Sequence, residues 1–358
     1  MALTNKIDPV EAAMSLTRWL SERMPEATGL RVSDVRVPSS NGLSTETVLF
    51  TASWQQGSQA MVARVQPDGE GVFPSYDLAK EAAVMRALAD NTPVPAPRVL
   101  FYEDDPAVLG APFLVMEHVD GRIPSDDPPF TAAGWVLDLE PEQRLAMWEN
   151  SLTVLADIHA ADHRELGLPE GGLPEQLATW EDFFRWASKG EPNPTIEAAL
   201  AWLRDNQPAD DEKVLNWGDA RVGNLIFGDD LGVGAVLDWE MVTLASREQD
   251  LGWWLFLMRH HTEGIGLPLP DGIPDAAETV AFYEKVAGTQ ARNLEYYEVF
   301  AGTRLAIIMV RAAHMLIGVG ALPPDNPMAL NNPASQLVAK LLGLPAPSGD
   351  TTSFIGNR

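Results

Sequence analysis

The chain has 358 residues, 46% of them hydrophobic, which is enough apolar material for two cores or one bilobal unit. Its 25 Lys and Arg against 51 Asp and Glu leave a formal net charge of -26, which repels nucleic acid and anionic membrane and is compatible with a cationic small-molecule partner. The absence of cysteine excludes disulfides, thiolate nucleophiles and cysteine-ligated metals, and it fits a cytoplasmic location.

In chain order, Asp8-Pro9-Val10-Glu11 predicts a capped helix start rather than an apolar leader with a cleavage site, so secretion is not expected. Val35 to Val37, Thr47 to Trp54 and Ala60 to Val65 predict three antiparallel strands, the last two joined across the five residues Gln55 to Gln59. Between the first two lies Ser39-Ser40-Asn41-Gly42-Leu43-Ser44-Thr45. There Gly42, Ser44 and Thr45 could turn N–H and hydroxyl groups toward phosphates, although an ordinary hairpin turn reads the same way. Arg64 stands inside the apolar strand and needs a partner. The next predicted helix, about Tyr76 to Ala89, offers Glu81 within a stripe of Leu78, Met85 and Leu88. An ion pair that simply supports a sheet is the plainer reading of that pairing.

Pro93 to Pro97 forces an extended connection, followed by strands at Arg98 to Tyr102 and from Ala111 to Met116. The second strand empties into the polar, Gly-terminated segment 117–121, which is the expected boundary between residues 1–116 and a helical region 122–345. The latter opens with Glu140-Pro141-Glu142-Gln143 and a helix to about Ala161, with Leu145, Trp148, Leu152, Leu155 and Ile158 on one face. Further helices are predicted at Trp180 to Trp186 and Ile196 to Leu203, their aromatics reading as core. The apolar stretch Val299 to Leu322 carries Arg304, Arg311 and His314 on one helical face. Those charges are expensive in lipid, so it reads as a buried helix whose cations seek acidic partners, with contact to a substrate as the alternative. Residues 346–358 are expected to form a mobile tail.

The chemistry concentrates in Asn216-Trp217-Gly218-Asp219-Ala220-Arg221-Val222-Gly223-Asn224 and in Val236-Leu237-Asp238. Two short apolar runs, Leu225 to Phe227 and Val233 to Leu237, flank the turn Gly228-Asp229-Asp230, so a hairpin should return Asn224 and Asp238 to one place. Transfer of a phosphoryl group needs a carboxylate that orients and deprotonates a hydroxyl, and metal ions that neutralise the oxygens around the breaking bond. Asp219 is the candidate base. Asn224 and Asp238 are oxygen ligands suited to magnesium, and Arg221 supplies a fixed charge that could lean on a γ-phosphate.

On these residues the chain resembles the aminoglycoside phosphotransferase and kinase-like small-molecule phosphotransferase family, over roughly residues 30 to 345. The usual motif there is His-Gly-Asp-x-x-x-x-Asn followed by Asp-Trp or Asp-Phe, and here Trp217 stands in the place of the His. The run Trp-Gly-Asp-Ala-Arg is similar to a branch found beside acyl-CoA dehydrogenases. The resemblance implies an α+β, bilobal protein-kinase-like fold with a small β-rich N-lobe and a larger helical C-lobe. It also implies ATP and Mg2+ as cofactors. By the same resemblance, Arg64 and Glu81 pair to hold the α- and β-phosphates, while Met116, the Glu117 carbonyl and the Val119 N–H meet adenine at a hinge over 117–121. His159 and Asp250 support the catalytic loop. The expected activity is phosphorylation of a small-molecule hydroxyl, with an aminoglycoside-type polyamine as leading acceptor. A hydroxyacyl thioester or other metabolite is the first alternative, and a nucleotide-binding module without turnover the second.

Overall fold

The computed structural model describes residues 7–38, 45–67, 69–169, 171–209 and 212–348. They divide into two compact units, residues up to 90 with 96–119, and residues 91–95 with those from 120 onward. Gly42 and Ser44 of the expected phosphate loop lie outside the described residues, as do residues 349–358 of the expected tail.

The first unit opens with α1 (Pro9–Arg23), whose start follows from Asp8. Its Oδ1 accepts from the N–H groups of Val10 at 2.8 Å and Glu11 at 3.0 Å, satisfying donors that the first turn leaves over. Five strands form one antiparallel sheet in the order β1-β2-β3-β5-β4: β1 (Arg31–Arg36), β2 (Glu46–Trp54), β3 (Gly57–Val65), β4 (Val99–Glu103) and β5 (Phe113–Glu117). Alternation along β2 buries Val48, Phe50 and Ala52, which join Leu16, Trp19 and Leu20 of α1 and Phe113 and Val115 of β5 in one core. Helix α2 (Leu78–Asn91) follows β3.

Two expectations are corrected here. The first strand begins four residues before Val35, in a largely exposed segment whose side chains give no burial signal. The β2–β3 turn is only Gln55-Gln56, because Trp54 pairs with Gly57 and Ser53 with Ser58. Backbone ladder bonds carry the strand through polar residues that hydropathy leaves out.

The second unit contains α3 (Pro141–Ala160), α4 (Leu173–Ala187), α5 (Pro194–Asp205), β6 (Val214–Asn216), β7 (Leu225–Phe227), β8 (Val233–Val236), β9 (Thr243–Ala245), α6 (Glu248–His260), α7 (Ala276–Ala287), α8 (Leu294–Gly318) and α9 (Pro333–Leu341). The strands make two small antiparallel pairs, β6 with β9 and β7 with β8, while α8 packs against α4, α5, α6 and α9. Trp148, Leu152, Leu155 and Ile158 of α3 are buried as the periodicity predicts, but Leu145, in its second turn, is exposed. Among the described residues, α8 is the one helix long and apolar enough to cross a bilayer. Its most apolar window is 72% buried inside the protein, as a core helix would be. The architecture is α+β, with an antiparallel-sheet N-terminal region and a helical C-terminal region.

Candidate active site

The loop after β6 is held by its neighbours before any catalytic side chain is placed. Asp250, on the first turn of α6 and fully buried, accepts the backbone N–H of Trp217 at Oδ2 (2.6 Å) and that of Gly218 at Oδ1 (2.8 Å). His159, at the end of α3, contacts the same Oδ2 through Nε2 at 3.2 Å, and its Nδ1 lies 2.6 Å from the Tyr283 hydroxyl. A fully desolvated carboxylate is tolerable only with such partners. Asp250 holds the loop directly, and His159 supports it through Asp250. Gly218 has φ +93°, and a Cβ there would stand 2.1 Å from the Met241 carbonyl oxygen, so only glycine passes.

Asp219 follows, 9% exposed. Its Oδ1 accepts from Trp253 Nε1 at 2.8 Å and from Arg221 Nε at 3.1 Å. Its Oδ2 accepts from Asn224 Nδ2 at 2.7 Å and from the same Arg221 Nε at 3.0 Å. Arg221 therefore lies against the candidate base, and its NH1 also donates to Asp126 Oδ2. Burial works against this guanidinium's charge, but the Asp126 and Asp219 carboxylates outweigh it and raise its pKa further. Asp126 escaped the sequence reading because it sits 95 residues from Arg221 in a segment with no motif.

The β7–β8 hairpin forms as predicted. Leu225 pairs with Val236, and the Leu237 N–H donates to the Asn224 carbonyl at 2.8 Å, so Asn224 is tied to the residue preceding Asp238. Asp238 adopts φ +62°, a left-handed conformation that Asp enters more readily than bulkier residues. Because the Asn224 amide nitrogen serves Asp219, its oxygen is the atom left to face a cation. One amide oxygen and one carboxylate suit magnesium, which commonly takes one or two protein ligands with phosphates and waters completing its shell. No larger His/Cys/Asp/Glu group of metal-binding size occurs among the described residues.

The remaining predicted residues lie in the first unit. Arg64, 9% exposed in β3, donates from NH2 to Thr45 Oγ1 at 2.9 Å, and Glu81 is buried on the first turn of α2. Met116 is buried in β5 between Val62 and Val99. The Glu117 N–H donates to Arg98 O at 3.0 Å and its Oε1 accepts from Gln59 Nε2 at 3.3 Å, while Val119 closes the unit half-buried. A cavity of about 350 Å3 in this unit, bordered by Asp8, Glu11 and Val65, is lined by none of these site residues.

Arg304 differs from the expectation of an acidic partner. It is 2% exposed and donates from NH2 to the Gly218 carbonyl at 3.2 Å. Its guanidinium carbon lies 4.6 Å from the Trp253 ring centroid and 5.0 Å from that of Trp180, an aromatic cage in place of a carboxylate. Burial pulls its pKa down to about 10 against the attraction of Asp250 and Asp219. Trp180, assigned to core from the sequence, is half-buried and instead forms one wall of this cage.

A carboxylate in a pinned loop, an amide and a second carboxylate at the two ends of a hairpin, and a buried guanidinium on the loop's Gly218 carbonyl are thus brought close together. The chain belongs to the phosphotransferase enzyme family, whose model matches residues 36–294. A solved Ralstonia eutropha protein, provisionally described as an aminoglycoside phosphotransferase, is 25% identical, covers 91% of this chain and 98% of its own, and superposes with a TM-score of 0.67. The chain is also similar to the Arabidopsis thaliana protein named "Probable acyl-CoA dehydrogenase IBR3", 28% identical over 85% of this chain and 39% of that protein. It resembles acyl-CoA dehydrogenase family member 11 of Gallus gallus, 34% identical over 67% of this chain and 30% of that protein. The chain thus spans well under half the length of these curated relatives.

Proposed function

We propose that the protein transfers the γ-phosphoryl group of ATP to a hydroxyl of a small molecule in the cytoplasm, with Asp219 as the base. The observation that carries this reading is the Asp219 carboxylate itself, oriented by Trp253 and Asn224 in a loop that Asp250 pins by two backbone N–H groups. Magnesium bound to the nucleotide would neutralise charge around the breaking bond. Asn224 and Asp238 are the residues to hold it. Arg64, oriented by Glu81, would engage the phosphates together with Gly42, Ser44 and Thr45, and Met116, Glu117 and Val119 would meet the adenine. A fold neighbour only 15% identical was solved with ADP and hygromycin B, which is consistent with a nucleotide and a sugar acceptor on this scaffold. The excess of acidic residues suits a cationic aminoglycoside-type acceptor.

A second acceptor reading has its own support. The acyl-CoA dehydrogenase relatives favour a hydroxyacyl compound as the acceptor. The test is ATP consumption with kanamycin-like amines and with hydroxyacyl compounds, followed by mass analysis for a gain of one phosphoryl group. Asp219→Asn should lower turnover about 10²-fold or more while nucleotide binding persists. Nucleotide binding with no turnover on any acceptor would leave a binding module instead.

A further inference from the structure

A carboxylate offers about four lone-pair positions, and those of Asp219 are all engaged. Trp253 and Asn224 take one each, and Arg221 Nε lies across both oxygens at 3.1 and 3.0 Å. An acceptor hydroxyl has to come within hydrogen-bond reach of one of these oxygens to lose its proton. Trp253 sits on buried α6 and Asn224 in the hairpin, with Asn224 also donating to the Asp219 carbonyl at 3.1 Å. The long side chain of Arg221 is the donor able to leave. A place for it exists. Asp126 Oδ2 already accepts from NH1, whereas Asp126 Oδ1 is buried without a hydrogen-bond partner. No side chain intervenes, since the residue between them is Gly223, where a Cβ would stand 2.5 Å from Asp126 Oδ1 and 2.9 Å from Arg221 NH1.

We infer that Asp126 is a positioning residue that draws Arg221 off the base, taking the guanidinium on both of its oxygens when an acceptor hydroxyl arrives at Asp219. One charge-assisted contact is exchanged for another, so the movement costs little, and a fork-to-fork pair is the geometry in which Arg and carboxylate bind best. This rests on Asp219 being the base.

The test combines kinetics and structure. With magnesium ATP alone and water as acceptor, phosphate release should be about tenfold slower in Asp126→Asn, with the KM for ATP unchanged, because the retained Arg221 keeps the base covered. In an Arg221→Gln background, Asp126→Asn should have no further effect. The same tenfold loss in that background would mean that Asp126 acts through the fold and would overturn the inference. Crystals of Asp219→Asn give an answer that does not depend on turnover. Arg221 should be found bidentate on Asp126, and an Arg221 still resting on residue 219, or turned to solvent, would refute it. Undiminished turnover in Asp219→Asn would instead defeat the base assignment, leaving the arginine's two positions to those crystals.

Discussion

The indole N–H of Trp217 donates to the main-chain oxygens of Leu237 at 2.8 Å and Asp238 at 3.1 Å. The residue standing where the family has His thus ties the loop carrying the candidate base to the segment carrying the candidate metal ligand. Trp217→Phe keeps most of the ring volume and removes the donor, leaving two carbonyls to find other partners. Stability should fall by about 1–3 kcal/mol in urea unfolding. The magnesium concentration needed for half-maximal ATP binding should rise, and Trp217→His should recover part of both losses. An unchanged magnesium requirement would show that the tether does not set the metal site.

Asp250→Asn places a donor group where the loop presents two N–H groups. One amide oxygen cannot replace two carboxylate oxygens. A loss of about 2–4 kcal/mol is expected, with turnover falling further than the unfolded fraction explains. A cost below about 0.5 kcal/mol would mean that the loop is held by its other contacts.

Much of this was legible in the sequence because the signals are local. Asp219, Asn224 and Asp238 are spaced by a loop and a hairpin, and Leu225 to Phe227 with Val233 to Leu237 announce that hairpin by composition. Asp8 declared its cap. What escaped depends on partners distant in the chain. Asp126 meets Arg221 with no motif around it, and the cage around Arg304 draws on α4 and α6. Helix α7 was missed although Asp275 and Glu278 form a capping box, since only Thr279 and Tyr283 of its residues are buried and its apolar stripe is faint. Charge alone predicted acidic partners along α8: His314 Nε2 lies 3.7 Å from Glu191 Oε2, whereas Arg304 is attracted by Asp250 and Asp219 but rests against aromatic faces.

Asp238→Asn replaces a charged oxygen ligand with a neutral one. ATP titrated with and without magnesium should show a clear metal effect in the wild type and a small one in the variant, while affinity without metal stays close. Retention of the full metal effect would place the ion elsewhere.

His260 is buried, and desolvation, with His261 beside it, pushes its pKa down to about 3. His261 is lowered as well, again by burial first. The folded state therefore excludes a proton that the unfolded chain takes up below about pH 6.5, so stability falls as pH drops from there toward 3. The slope is at most about 1.4 kcal/mol per pH unit for each group. His260→Phe should flatten that decline, seen as a urea midpoint that shifts less between pH 7 and pH 5 than the wild type's. A variant whose difference from wild type is the same at both pH values would exclude the linkage.

Besides Glu298, which pairs with Arg259, helix α8 makes polar contacts at Arg304, Arg311 and His314, seven and three residues apart and hence toward one side of the cylinder. Arg304 reaches the Gly218 carbonyl, Arg311 lies 4.3 Å from the Trp186 ring centroid, and His314 Nδ1 meets Ala187 O at 2.8 Å. These are teeth on a key: the rod cannot turn about its own axis without withdrawing all three together. Its first and last teeth stand about 15 Å apart along the axis. A substitution that swivels the helix at His314 would therefore be felt as a displaced Gly218 carbonyl next to Asp219, two to three turns away.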